Sequence, residues 1–440
     1  MKKIVFLIVA VFFFGVNCFA QNESKFKSLK DNLDKNEVAT QHPKKGIDPK
    51  TWMDRGKLFQ DAYNVNVGLL RFGMPATDLK LFFLGKNPIQ VLTSEENGVL
   101  TETHEYNQIK INFENGVLKS WEETKEVVAN PLSEAVKAYQ KATSLDEKGK
   151  NVKKIKEAYR SINNDLETRL FNEYALLKFK AAHQTALDRV EVSKLLGIND
   201  TTYYFYAGFM AFAQSESDDS MWKESIDNLK KALALGYREM GESKGQIYDL
   251  LYNACIKTGD SIQALKFAKT GFELNPNYER LMYNLINYYL SRGENNKTLE
   301  YLEQAVARDP KNPNLLFAHG KVLDELGETE KSLAAYDASI AADPKYFDPY
   351  FNKAVVYYNN AVKLVEDAEK ERVQSIYEAK INVANEEFAK AIPLLEKAHE
   401  LRPDDTQTMD TLRSLYFRLR NKYPELEAKY HEMSKKLGKE

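Results

Sequence analysis

Large apolar residues recur with helical spacing through the second half of the chain, and two kinds of punctuation interrupt them at a fixed period. Gly259, Gly293 and Gly327 stand 34 residues apart, and Pro276, Pro310 and Pro344 keep the same period and phase. Glycine takes the left-handed backbone that ends a helix at least cost. Proline cannot continue a helix. Each period therefore predicts two helices, with the glycine after the first and the proline after the second. Small residues recur in the second helices: Ala264 and Gly271, Thr298 and Ala305, Ser332 and Ser339. They let paired helices approach closely, while Tyr248, Leu251, Leu285, Tyr289, Leu323 and Tyr336 supply the bulk. The three regular periods run over 245–278, 279–312 and 313–346.

The pattern extends in both directions. Asp348-Pro349-Tyr350 opens a further first helix, and Ala391, Leu395, Ala398 and Pro403 close its partner. No Gly or Pro lies between Tyr350 and Ile392, so segment 347–405 is expected to form a pair of lengthened helices. Segment 406–440 reads as a last first helix, Thr406 to Arg420, and a capping helix from Pro424 with a polar, charged end. Segment 131–244 reads as divergent helices of the same kind. Within it, 152–196 forms two helices, and Tyr203–Gln214 and Trp222–Leu235 form a pair around the insert Ser215–Asp219.

The N-terminal part breaks the pattern. Segment 21–66 carries Trp52 and Gly56 on a predicted first helix, and its second helix returns only with Ala135, Tyr139 and Ala142. Between them, 67–130 switches to β character. A short helix, Thr77–Leu84, follows Gly73-Met74-Pro75. Four strand-like runs follow: Ile89–Thr93, Leu100–Tyr106, Ile109–Phe113 and Val117–Trp121. Asn115-Gly116 is a hairpin signal. The expected fold is mostly α, with a small α+β domain, a helix plus a β-meander, inserted into an N-terminal repeat.

The stretches "LYNACIKTGDSIQALKFAKTGFELNP", "NLINYYLSRGENNKTLEYLEQAVARDP" and "FAHGKVLDELGETEKSLAAYDASIAADP" resemble the tetratricopeptide repeat (TPR) family. The resemblance implies a TPR α-solenoid whose first helices line a concave groove. In that family, helix positions 2, 5, 9 and 12 face the groove. They fall here on Gln246, Asp249, Asn253 and Ile256; Arg280, Tyr283, Asn287 and Leu290; Asn314, Phe317, Lys321 and Asp324; and Asp348, Phe351, Val355 and Tyr358. Packing between repeats is the alternative role for some of them. The family's lysine clamp for acidic tails is not matched, since Asp249 and Tyr283 occupy the lysine position. The string from Gly73-Met74 through Leu84-Gly85-Lys86 to Phe113-Glu114-Asn115-Gly116 resembles the small lipoprotein subunit of the outer-membrane β-barrel assembly machine. That likeness implies the module's fold and a Gram-negative envelope context. The family's lipid-attached N-terminus just before the module has no counterpart here, so membrane function does not carry over.

The first twenty residues agree with an envelope address. Lys2 and Lys3 precede an apolar run, Ile4–Val16, and Cys18-Phe19-Ala20 places small residues at a cleavage point before Gln21. This is a secretory signal peptide, and its apolar run is shorter than the ~20 residues that span a bilayer. An uncleaved anchor and lipidation at Cys18 are the alternatives, the second opposed by Asn17. Cleavage removes one of two cysteines and leaves Cys255, so no intramolecular disulfide is expected. The expected location is the periplasm, with the outer membrane as a second possible association. The 440 residues are 43% hydrophobic and 29% charged with net charge −2. That excludes a disordered chain and gives no electrostatic reason to bind nucleic acid.

Candidate chemistry is thin. Gly241-Glu242-Ser243-Lys244-Gly245 matches a nucleophile elbow but lacks the preceding strand. Six scattered histidines show no zinc-protease spacing, His319 reads as a core histidine, and Cys255 as a buried inert thiol. No catalytic residue, metal site or cofactor is expected. The reading is a non-catalytic periplasmic scaffold that binds a protein or peptide partner in the groove, in envelope assembly. The alternative is a glycan- or cell-wall-associated accessory protein using the inserted sheet, with Trp52, Tyr106 and Trp121 as its platform. Asp200-Thr201-Thr202, Asp219-Ser220-Met221 and Asp260-Ser261-Ile262 resemble O-glycosylation signals of some Gram-negative envelopes.

Overall fold

The periodic glycines end helices by one repeated device. Gly259, Gly293 and Gly327 adopt φ of 81°, 67° and 77°. The amide after each reaches back five residues: Asp260 to the Cys255 carbonyl (2.9 Å), Glu294 to Tyr289 (3.0 Å) and Glu328 to Leu323 (2.9 Å). The glycine amides close the inner bond, so each end is a Schellman motif. The computed structural model describes residues 20–82, 87–238 and 245–439. The signal segment lies outside these except for Ala20, as do Leu84, Gly85 and Lys86 and all of Gly241–Gly245 but its last residue.

The chain divides into two units, Met1–Ala264 and Leu265–Glu440. The first begins with α1 (Ala20–Gln41), α2 (Pro49–Val67) and α3 (Ala76–Phe82). Strands β1 (Gln90–Glu96), β2 (Val99–Glu105), β3 (Ile109–Glu114) and β4 (Val117–Glu123) follow. Then come α4 (Pro131–Leu145), α5 (Val152–Ala175), α6 (Phe179–Leu195), α7 (Thr201–Gln214), α8 (Met221–Ala234) and α9 (Gln246–Lys257). Helix α10 (Ser261–Leu274) spans the division. The second unit holds α11 (Glu279–Leu290), α12 (Asn295–Arg308), α13 (Pro313–Glu325), α14 (Thr329–Ala342), α15 (Phe347–Ala368), α16 (Gln374–Leu401), α17 (Thr406–Leu419) and α18 (Glu425–Lys436).

In the second unit, helices pair through small residues. Thr298, Ala305, Ser332 and Ser339 are wholly buried, and Tyr289 and Tyr336 fill the space beside them. Burying such a ring stabilises by about 1.5–3 kcal/mol. A Cβ on Gly320 would sit 2.8 Å from the Tyr336 ring, so only glycine fits there without a shift. The expected long pair is present: α15 has 22 residues and α16 has 28, against 12–14 in α11–α14. Helix α16 runs through Pro393, whose missing N–H removes one ladder bond.

The first unit uses the same device with a different connection. A Cβ on Gly56 would lie 2.6 Å from the Tyr139 ring, so α2 packs against α4 as α13 packs against α14. Residues 68–130 lie between the two helices. Their four strands form one antiparallel sheet in the order β1-β2-β3-β4. Two of the three turns are Asn-Gly: Asn115 and Gly116 (φ 50° and 73°), and Asn97 and Gly98 (φ 51° and 79°). Positive φ at both central residues is the hairpin turn that matches strand twist. The sheet has no core of its own. Ile111, Phe113, Leu118 and Trp121 join Phe59, Tyr63, Leu132 and Tyr159 in one continuous cluster.

Candidate protein-interaction surface

Residues at i, i+3 and i+7 share a helix face, and in the second unit this row is built three times. On α11, Arg280 and Asn287 are exposed and Tyr283 is half-buried. On α13, Asn314 and Lys321 are exposed and Phe317 is half-buried. On α15 the row is Asp348, Phe351 and Val355, all half-buried, with Tyr358 half-buried one step further along. Each row thus offers ring or aliphatic edges, and the first two add exposed basic and amide groups.

The rings are held by neighbours rather than free. Phe317 meets Tyr336 at 5.9 Å and Tyr346 at 5.5 Å between centroids. Phe351 stacks on Phe347 at 5.8 Å, and Tyr358 meets Phe388 edge-on at 5.1 Å. Burial, with Glu279 and Asp309 nearby, raises the Tyr283 hydroxyl above its ordinary pKa, so it stays a neutral donor. Burial likewise raises the Asp324 carboxyl, against the opposing charge of Lys363. Rings fixed this way present contact area at little entropic cost.

In the first unit, α9 carries Gln246 and Asn253, both half-buried. Asn253 Nδ2 donates to the Asp249 carbonyl (2.8 Å) and carboxylate (3.0 Å). Asp249 itself is only 2% exposed. It corrects the expectation for that position: one face of α9 holds the residue, but at a depth where it braces Asn253 and offers a ligand no surface.

The sheet platform expected for glycan does not form. Trp121 is 3% exposed, inside the shared core. Trp52 is half-buried and donates from Nε1 to the Gly46 carbonyl (2.9 Å), and Tyr106 packs against the same core. The opposite face of the sheet carries a polar ladder instead, half-buried at Thr103 and Asn112 and buried at Ser120. Thr103 donates to Asn112 Oδ1 (2.8 Å), and Asn112 Nδ2 donates to Ser120 (3.0 Å).

Several other expected residues have local roles. Cys255 is buried and free, its thiol pushed up by burial. His319 is half-buried with Nε2 unpaired, and burial lowers its pKa. Asp200 accepts from the Tyr203 amide and Asp260 from the Gln263 amide, so these two triplets cap helices α7 and α10, and the third, Asp219-Ser220-Met221, leads into α8. Among the described residues there is no group of three or more metal-ligating side chains. Nor is any helix among them long and apolar enough to cross a membrane.

Two amides that no sequence pattern marks tie the sheet to the helices. Asn172 on α5 accepts from the Trp121 amide (2.9 Å) and donates to the Trp121 carbonyl (2.8 Å). Asn66 on α2 donates to Glu123 (3.0 Å) and to the Lys125 carbonyl (3.2 Å). Burial pushes the Glu123 carboxyl up to about 7, against the hydrogen bond from Asn66.

The tetratricopeptide repeat family model matches residues 313–346, the α13–α14 pair. No curated protein matches the chain. Among solved structures, the C-terminal part of a TPR repeat-containing protein from Cytophaga hutchinsonii aligns at 13% identity and a TM-score of 0.42. That alignment covers 60% of this chain and 90% of that one. MamA aligns at 17% identity and a TM-score of 0.34, over 47% of this chain and 94% of its own. MamA from Desulfovibrio magneticus RS-1 aligns at 15% identity and 0.32, over 44% and 97%. The described residues are mostly helical, in successive helix pairs of which one matches a tetratricopeptide repeat, and they carry a small helix-plus-meander module.

Proposed function

We propose that this chain is a non-catalytic periplasmic scaffold, acting in envelope assembly, that holds an extended or helical segment of a protein partner against the first helices of its repeats. One observation carries the reading. On successive first helices α11 and α13, a half-buried aromatic edge (Tyr283 packed on the core, Phe317 held by Tyr336 and Tyr346) stands beside exposed amide and basic groups (Asn287, Lys321). Rings supply buried area in an interface, and the polar groups beside them fix register through the partner's backbone. The TPR match at 313–346 supports protein binding as the class of activity. The apolar run after Lys2-Lys3 supports export.

The reading is tested by replacing exposed groups alone, as Asn287→Ala with Lys321→Glu. The expected result is loss of the partner that co-purifies from crosslinked native cells, with an unchanged melting temperature. Unchanged recovery of the partner contradicts the groove. Cell fractionation and the intact mass of the mature chain test the location; a chain that starts at Met1 in the cytoplasm contradicts it.

A further inference from the structure

The two edges of the sheet are finished differently. Along β4 the outward main-chain groups of Leu118 and Trp121 are met. Gly73 N–H donates to the Leu118 carbonyl (3.0 Å), Leu118 N–H to the Met74 carbonyl (2.9 Å), and Ala76 N–H to the Gly116 carbonyl (2.9 Å). The side chain of Asn172 then mimics a strand at Trp121. Strand β1 pairs with β2 along its full length, from Gln90–Glu105 to Glu96–Val99. Among the described residues no strand pairs with its other side. The two-residue turn at Asn97-Gly98 makes Glu96 and Val99 a hydrogen-bonded pair, and alternation then turns the N–H and C=O of Val91, Thr93 and Glu95 outward.

Open edges of this length are normally blunted by proline, lysine or a bulge. Strand β1 has no proline, no lysine and no register shift against β2. Its flank is apolar, with Leu92 38% and Ile89 49% exposed. Its charge is of one sign. Residues 87–109 hold Glu95, Glu96, Glu102 and Glu105 and neither Lys nor Arg. Of these, Glu105 is paired with Lys110 (2.6 Å), while Glu95 and Glu96 are exposed at the strand's end.

From this we infer that β1 is a docking edge for an extended, basic segment of a partner protein, which adds as a fifth strand. Main-chain bonds to Val91, Thr93 and Glu95 supply affinity, and alternate side chains supply selectivity. A lysine or arginine on the Glu95 face meets that carboxylate, and an apolar residue on the other face covers Leu92. A second copy of this chain fits worse, because its own β1 would bring two more glutamates to an edge that has no cation.

The test uses the full mature chain and a fluorescent seven-residue peptide of alternating lysine and valine, with the glutamate–valine peptide as comparison. The lysine peptide is expected to bind, and the glutamate peptide to bind at least about tenfold more weakly. Thr93→Pro removes an outward N–H and leaves the β2 ladder intact; it should weaken binding about tenfold. Glu95→Lys with Glu96→Lys leaves the backbone edge intact and should reverse the preference between the peptides. Hydrogen exchange should slow at Val91, Thr93 and Glu95 on peptide addition. No binding by the unaltered chain, equal binding by Thr93→Pro, or a dimer in sedimentation that Thr93→Pro dissolves would each overturn the inference.

Discussion

The pairs α2–α4 and α13–α14 are built alike and connected differently. In each, a glycine on the first helix lies under a tyrosine ring of the second: Gly56 under Tyr139, Gly320 under Tyr336. The second pair is closed by residues 326–328 around the Schellman glycine Gly327. The first is closed by residues 68–130, a helix and four strands. A helix pair therefore tolerates a whole module in place of its turn, provided the glycine–ring contact still fixes the crossing. The cost is dependence: the module has no separate core and leans on α2, α4 and α5.

The largest expected effects come from removing the rings. Tyr139→Ala and Tyr336→Ala should each cost roughly 3–5 kcal/mol, as large-to-small core changes do. Tyr139→Ala also strands Gln60 Oε1, which accepts from the tyrosine hydroxyl at 2.8 Å. Denaturant unfolding measures both. Similar losses fit one shared device, and a loss under about 1 kcal/mol at Tyr139 would show that the first pair is held by something else.

Next is the tie found only in the first pair. Asn172→Ala should strand the N–H and C=O of Trp121 in the core, at roughly 1–3 kcal/mol for each group. Amide exchange at Trp121 should accelerate, while exchange in α13 and α14 stays as it was. Coincident acceleration in both places would contradict the local role.

A smaller effect tests the glycines themselves. Alanine raises helix propensity by about 1 kcal/mol over glycine, but its Cβ meets a ring at 2.6 Å in Gly56→Ala and 2.8 Å in Gly320→Ala. Overpacking costs about 1–3 kcal/mol, so both variants should be less stable, Gly56→Ala slightly the more so. A rise in melting temperature would mean that the rings move aside freely.

The smallest is a slope. Burial raises the Glu123 carboxyl from its usual 4.5 to about 7. Between those values the folded state holds more protons than the unfolded one, so stability is fully present below pH 4.5 and falls as pH rises through about 7. Glu123→Gln should flatten that part of the stability profile, and an unchanged slope would assign it to another group.

Much of the helical framework is legible because its signals are local. A helix end needs only the glycine and the amide after it, so Gly259, Gly293 and Gly327 mark three ends by themselves. The Asn115-Gly116 turn is equally local, and Asn97-Gly98 carries the same signal for the hairpin whose outer strand is the open edge. What local pattern does not encode is depth and distance. The face assigned to Asp249 says nothing of its burial beneath Asn253. Trp121 sits on a strand flanked by polar residues, and only its distant partners, Asn172 among them, place it in the core rather than on a platform. Of the candidate surface, the residue identities along α11 and α13 are legible; the ring contacts that hold Phe317 between Tyr336 and Tyr346 come from tertiary packing.

The central claim is that the repeats bind through their first helices while the second helices support them. A photo-crosslinking residue at Lys321 on α13, compared in native cells with the same residue at Lys331, which is exposed on α14, tests this within one helix pair. The account predicts a discrete crosslinked protein partner from position 321 and none from 331. The same partner captured from both positions, or from 331 alone, would contradict it.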